Sequence, residues 1–151
     1  MSKFVYVTYI RTSAAKLWDM LTKPQFTRAY WCETVQESDW EVGAEWRMLI
    51  PDGRVGDAGT VLEIDPPRRL VLSSRNEFLP ELKAEGLARV SFEIEPVGDV
   101  VRLTLTHEIG CEPSKLIDGV SAGWPAVLSS LKSLVETGAP LDLTQRWPKD
   151  F

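Results

Sequence analysis

The stretch from Ser121 to Gly138 constrains most what this chain can fold into. Val120, Trp124, Val127, Leu128, Leu131, Leu134 and Val135 recur at three- and four-residue spacing, which lays one apolar stripe along one face of an α-helix. Ser121 suits an N-cap, Pro125 is tolerated only close to a helix start, and Gly138 followed by Pro140 is a stop signal. A helix over 121–138 is therefore expected. Its stripe must be buried against something, and almost everything before it reads as β-strand.

Phe4-Val5-Tyr6-Val7-Thr8-Tyr9-Ile10 is dense in β-branched and aromatic residues, as a strand requires. Ser13 can cap a short helix from Ala14 to Leu21, and Pro24 opens a second through about Tyr30. Strand signals then follow one another: Thr34 to Ser38, Ala44 to Ile50, Asp57 to Ile64 with Leu62 and Ile64 on one face, Arg69 to Ser74, Ala88 to Glu95 and Val100 to Glu108. Pro51-Asp52-Gly53-Arg54, Asp65-Pro66-Pro67 and Gly98-Asp99 separate them as turns. Asn76 to Gly86 reads as a loop, Cys111 to Gly119 as a connection, and Leu141 to Phe151 as a tail carrying Trp147 and Pro148. Helices segregated to one side of an antiparallel sheet make the fold α+β. About six to seven twisted strands cannot stay flat, so the sheet curls around the long helix. The concave face and the helix stripe must meet or enclose a cavity.

Composition enters as exclusion. At 151 residues one domain, spanning 1–151, is expected. The net charge of −5 is dispersed rather than blocked, which argues against nucleic acid, since that partner attracts basic patches. No apolar run reaches the ~18 residues of a membrane span, and the start Met1-Ser2-Lys3-Phe4 lacks the pattern of a signal peptide. A cytoplasmic protein is expected. Cys32 and Cys111 are far apart in sequence and read as free thiols. A single histidine leaves no multi-histidine metal site, and no phosphate-binding or dinucleotide glycine motif is present. No metal and no cofactor are expected.

Several segments resemble bacterial homologues of the activator of heat-shock protein 90 ATPase. They are Phe4 to Ile10, Lys16-Leu17-Trp18-Asp19-Met20-Leu21-Thr22, Glu37-Ser38-Asp39-Trp40-Glu41-Val42-Gly43, the run from Gly59 to Leu70, Leu105-Thr106-His107-Glu108 and the run from Gly123 to Lys132. The resemblance covers nearly the whole chain in the same order. It implies the helix-grip architecture shared with lipid-transfer START domains, the birch-pollen allergen type and aromatic polyketide cyclases, in which an apolar cavity lies between sheet and helix. It implies two kinds of partner: a small hydrophobic molecule and a chaperone.

The residues expected on the cavity wall follow from strand alternation, from the helix stripe and, for the tryptophans, from where the resemblance to the helix-grip fold implies that the walls lie. Trp31, Trp46 and Trp124 supply large rings with one polar atom each, suited either to a ligand pocket or to filling the core. Met48, Leu62, Leu72, Phe92, Leu105, Val127, Leu128 and Leu131 add apolar surface, and Tyr6, Thr8, Ser74, Asn76 and His107 are the polar anchors that share inward faces with them. His107 is the candidate catalytic residue, a proton donor or acceptor near neutral pH; the plainer reading is a hydrogen-bonded histidine at a core edge. Glu63, Arg47, Arg69, Arg89 and Arg102 fall on the opposite, solvated faces. Three functions stay open: a binding protein for a lipid, fatty acid or polyketide-like molecule, a co-chaperone-like or stress-response module, and a cyclase- or hydratase-type enzyme using His107. Every register assignment reverses on a one-residue slip.

Overall fold

The computed structural model describes residues 1–144, so the expected tail residues Trp147 and Pro148 lie outside the described part. Strand β1 (Ser2–Ile10) leads into two tandem helices, α1 (Ala14–Thr22) and α2 (Pro24–Tyr30). Ser13 caps α1 by accepting the Lys16 N–H at 3.1 Å, and Pro24 opens α2. Strands β2 (Val35–Ser38), β3 (Glu45–Leu49), β4 (Val55–Asp65) and β5 (Arg69–Asn76) follow. A single helical turn, α3 (Pro80–Lys83), interrupts the stretch expected to be loop, and β6 (Ala88–Val97), β7 (Val100–Ile109) and the long α4 (Lys115–Thr137) complete the chain before a 3-10 turn at Asp142–Thr144.

Among the described residues the strands form one seven-stranded antiparallel sheet in the order β1-β7-β6-β5-β4-β3-β2. The fold is α+β and helix-grip-like. Alternation places Leu70, Leu72, Val90, Phe92, Leu103 and Leu105 on the inner face, in one core with Leu128 and Leu131 of α4. Burying apolar surface at roughly 25 cal/mol per Å² makes this contact the main source of stability. The outer face carries Glu63, Arg47, Arg69, Arg89 and Arg102 as expected, in ion pairs of Arg47 with Glu37, Arg89 with Glu63, Arg69 with Glu63 and Glu93, and Arg102 with Glu95. Exposed pairs of this kind add little, roughly 0–1 kcal/mol each.

Two expectations fail for identifiable reasons. Leu62 does not face inward: the β4–β5 pairing shifts between Val61 and Glu63, a bulge that adds one residue and reverses the alternation. Val61 is consequently fully buried, and Leu62 is 39% exposed. The long helix begins at Lys115, six positions before the expected Ser121, with Ser114 as its N-cap accepting the Ile117 N–H at 3.1 Å. The loop residue Glu85 supports this start, since its carboxylate accepts from Ser114 Oγ at 2.6 Å and from the Lys115 N–H at 2.8 Å. Ser121 lies inside α4, its hydroxyl donating to the Ile117 carbonyl at 2.6 Å. Pro125 is likewise internal. An interior proline removes one helical hydrogen bond and costs roughly 3 kcal/mol in isolation, which the burial of Trp124, Val127 and Leu128 on either side offsets. At the far end Gly138 takes a left-handed conformation, φ 86°, and its N–H donates to the Leu134 carbonyl, as its stop signal predicts.

Candidate functional site

The inner face of the sheet is not uniformly covered. α4 lies closest to β1 and β7, and its second half seals onto the core through Leu128 and Leu131, which are 1% and 0% exposed. Its first half stands away from β3, β4 and β5. The space between is a cavity of about 390 Å³. The helix contributes Leu116, Gly119, Val120, Gly123, Trp124 and Val127 to its wall, all on one face of α4. The sheet contributes Met48, Gly56, Asp57, Ser74, Asn76 and His107, with Met48, Asp57 and Asn76 paired in a row across β3, β4 and β5. Phe78, Leu79 and Leu82, from the stretch between β5 and β6, and Trp31 and Cys32, just after α2, complete the lining. Cys32 and Glu33 both take positive φ, 52° and 61°, a conformation that side chains other than glycine adopt at a cost.

Of the residues expected on this wall, Trp31, Met48, Ser74, Asn76, His107, Trp124 and Val127 are on it. Tyr6, Thr8, Trp46, Leu62, Leu72, Phe92, Leu105, Leu128 and Leu131 are not. Tyr6 and Thr8 belong to the sheet edge that α4 covers. Trp46 is buried with its indole N–H donating to Gln36 Oε1 at 2.7 Å, and Gln36 in turn donates to the Leu21 carbonyl, so this ring ties the sheet to α1. Leu72, Phe92, Leu105, Leu128 and Leu131 face inward but are consumed by core packing. Sequence reading missed Gly56, Asp57, Cys32, Leu116, Val120, the two helix glycines and the Phe78–Leu82 segment. The spacing Leu116, Gly119, Val120, Gly123, Trp124, Val127 was a usable signal once the helix is started at Ser114.

Gly119 and Gly123 are exposed and on the wall, so they mark where the cavity meets solvent, and a Cβ at either would touch nothing within 4 Å. Glycine inside a helix costs roughly 1 kcal/mol relative to alanine. Gly119→Ala and Gly123→Ala are each expected to raise the unfolding free energy by about 0.5–1 kcal/mol; a lowered melting temperature for both would show that these positions are sterically closed.

His107 sits where the aromatic cluster meets the cavity. The Trp124 indole N–H donates to His107 Nδ1 at 3.0 Å, and the Trp124 ring also packs on Trp31, Phe92 and His107 with centroids 5.1, 5.9 and 6.2 Å apart. Burial lowers the imidazole from its ordinary 6.5 to about 4. It is therefore neutral at pH 7. With Nδ1 accepting, the proton is on Nε2, and Nε2 has no partner among the described residues. The nitrogen left free is a buried hydrogen-bond donor with almost no accessible surface, so the proton-acceptor role expected from sequence would require the bond to Trp124 to break. Elsewhere on the wall, burial and then the neighbouring Glu77 carboxylate raise Asp57 from 3.8 to about 7; Glu77 itself is held by Arg75 at 2.7 Å and Lys83 at 3.0 Å. Burial and Glu33 also raise the Cys32 thiol, leaving it protonated. Cys32 and Cys111 are free, and no group of three or more potential metal ligands gathers among the described residues.

The two perturbed groups act in opposite directions on stability. As pH falls from 7, the unfolded chain protonates its histidine before the folded chain does, so His107 costs stability between about 6.5 and about 4. Asp57 takes up its proton in the folded state first, so stability is gained as pH falls from about 7 toward the ordinary carboxylate range. Each contributes about 2 kcal/mol between pH 7 and 5, the Asp57 share trimmed by its partial exposure, and the wild-type protein should be nearly flat there. Asp57→Asn should unmask the histidine: unfolding free energy is expected to drop by about 2 kcal/mol from pH 7 to 5 in urea titrations, and an unchanged flat profile would refute the assignment.

Comparison with known proteins bears on the fold and family. The family model described as "Activator of Hsp90 ATPase homolog 1-like protein" matches residues 11–136. No curated protein matches the sequence. Among solved structures, MLL2253 from Mesorhizobium loti is similar with a TM-score of 0.76 at 20% identity, over 89% of this chain and 97% of that one. CalU16 from Micromonospora echinospora is similar with a TM-score of 0.72 at 19% identity, over 90% and 77%. The Aha1 dimer from Colwellia psychrerythraea gives 0.71 at 18% identity, over 91% and 98%. At these identities the likeness is one of fold. No helix among the described residues is long and apolar enough to cross a membrane.

Proposed function

The chain belongs to the Activator of Hsp90 ATPase homolog 1-like family, and from that premise we propose that it is a binding protein holding a small apolar or amphipathic molecule between α4 and the sheet. The observation that carries this reading is the cavity of about 390 Å³ beside an otherwise close-packed core. Its size is that of a small-molecule pocket, and a mostly apolar wall with a few convergent polar groups is the usual composition of such sites. The glycine rim of α4 supports it further, because two helix positions give up stability and leave the opening clear.

The test is a thermal-shift and native mass-spectrometry screen with flavonoids, aromatic polyketides and fatty acids. A ligand at a hundred times its Kd stabilises the folded state by about 2.7 kcal/mol, which raises the melting temperature by several degrees in a chain of this size. Gly123→Leu, which puts a side chain into the opening, should abolish the shift and leave the protein folded. A screen in which no member shifts the transition would defeat the proposal.

A second reading rests on the family description alone: a co-chaperone-like role with a heat-shock protein 90 homologue. Its measurement is the ATP turnover of the bacterial chaperone at saturating concentrations of this protein. Unchanged turnover would dispose of it.

A further inference from the structure

Resting on the binding-protein reading, we infer that the cavity selects molecules carrying a protonated amine on an apolar body, with the Asp57 carboxylate as the counter-ion. Strand β4 is shaped to present this group. Its pairing with β3 passes from Met48 with Asp57 to Leu49 with Val55, so Gly56 is an extra residue, a bulge of the kind that re-aims a side chain. A Cβ at Gly56 would stand 3.2 Å from Ile50 Cγ2 and 3.3 Å from Met48 Cε, so the bulge is packed closely by its neighbours. Gly56 and Asp57 both reach the cavity wall.

The Asp57 carboxyl takes no hydrogen bond and no ion pair among the described residues, and its oxygens are not closed off as His107 Nε2 is. Asn76, its partner across β5, has Oδ1 engaged by the Phe78 and Leu79 N–H groups at 3.0 and 2.7 Å. The cations around it are committed elsewhere. Arg75 and Lys83 hold Glu77 at 2.7 and 3.0 Å, and Arg54, which lies over the Phe78 ring, holds Asp52 at 2.7 Å. None of the lining residues is lysine or arginine, and Asp57 is the one acidic residue there. A carboxylate left unpaired in an apolar space is costly, and a cation arriving with the ligand supplies the missing half of the pair. An anionic ligand would add a second uncompensated charge. Leu79, Leu82, Leu116 and Val120 offer the apolar body its contact surface.

Three probes of one chain length separate the charges: octylamine, octan-1-ol and octanoate. Calorimetric titration at pH 8 is expected to show the amine binding about tenfold or more tightly than the alcohol, with octanoate weakest. Asp57 titrates at about 7, and a primary amine stays protonated well above that. The affinity for octylamine should therefore rise close to tenfold from pH 6 to pH 8, as the carboxylate forms, while that for octanol stays level. The neighbouring groups keep their charge over this range: His107 is lowered to about 4, the Cys32 thiol is raised, and Glu77 is held ionised by Arg75 and Lys83. Asp57→Asn should remove both the amine's advantage over the alcohol and its pH dependence. A readout independent of that variant is the Asp57 carboxyl carbon resonance of the wild-type protein, whose titration midpoint should fall with octylamine bound and stay in place with octanol. Octanoate binding as tightly as the amine, an amine advantage that survives Asp57→Asn, or a midpoint unmoved at octylamine saturation would each overturn the inference and leave the binding-protein reading standing. Failure of all three probes and of the wider screen would remove both.

Discussion

Trp124→Ala is expected to lower the free energy of unfolding by about 4 kcal/mol. The side chain is 8% exposed and stands at the junction of core and cavity, so the substitution removes a large buried ring and enlarges a space that is already unfilled. It strips the aromatic contacts to Trp31, Phe92 and His107, each worth about 0.5–1.5 kcal/mol beyond area burial for a favourable pair. It also leaves His107 Nδ1 without its donor. Against a typical total of about 5–15 kcal/mol, that is enough to bring the midpoint of a urea titration down sharply. Trp124→Phe keeps most of the ring and loses the N–H, and should cost about 1–2 kcal/mol. It also frees the imidazole to change tautomer, which the single histidine would report in its nitrogen spectrum. A loss below about 1 kcal/mol for the alanine variant would mean that the ring is not packed against the sheet.

Gly59→Ala is expected to be at least as damaging, by about 4 kcal/mol or more. A Cβ at position 59 would stand 1.8 Å from the Ser73 carbonyl oxygen and 2.5 Å from its carbon. These are backbone atoms of β5 and cannot swing aside, so β4 and β5 would have to separate at the centre of the sheet. Their pairing there already depends on Ser73 Oγ accepting the Thr60 N–H at 2.9 Å. Glycine in a strand marks such a close approach. The contrast with Gly119→Ala and Gly123→Ala, expected to stabilise, makes the set informative, because one chemical change acts in opposite directions according to what surrounds the Cβ. A Gly59→Ala protein with a wild-type urea midpoint would show that the two strands are not in this register.

The legibility of the fold and of the site differ for physical reasons. Strand alternation from Ala88 to Ile109 and the helix stripe from Trp124 to Leu131 are local periodicities, and both reappear as the buried faces they implied. The turn at Asp52-Gly53 was equally readable, with Gly53 at φ 92° and Asp52 Oδ1 accepting the Arg54 N–H at 2.9 Å. Leu62 shows the limit: a bulge between Val61 and Glu63 is decided by how β4 and β5 pair, and alternation beyond it changes phase. The start of α4 shows another. Ser121 carries the local signal, but Glu85, some thirty residues upstream, supplies acceptors to the helix N-terminus at Ser114 and Lys115, and no window of sequence contains both.

The chain by itself determined the architecture: which segments are strands, that the last long segment is a helix with one apolar face, that the two must meet, and that His107 and Trp124 point toward that meeting. Only the tertiary structure decided where contact is complete and where it is not. Leu128, Leu131, Leu72, Phe92 and Leu105 close onto one another, whereas Leu116, Gly119, Val120 and Gly123 face an opening toward Asp57, Asn76 and Ser74. Periodicity specifies which side of an element turns inward, and it is blind to the distance at which the opposing element stops. That distance is set by side chains from separate strands and loops packing together, and it separates a filled core from a cavity.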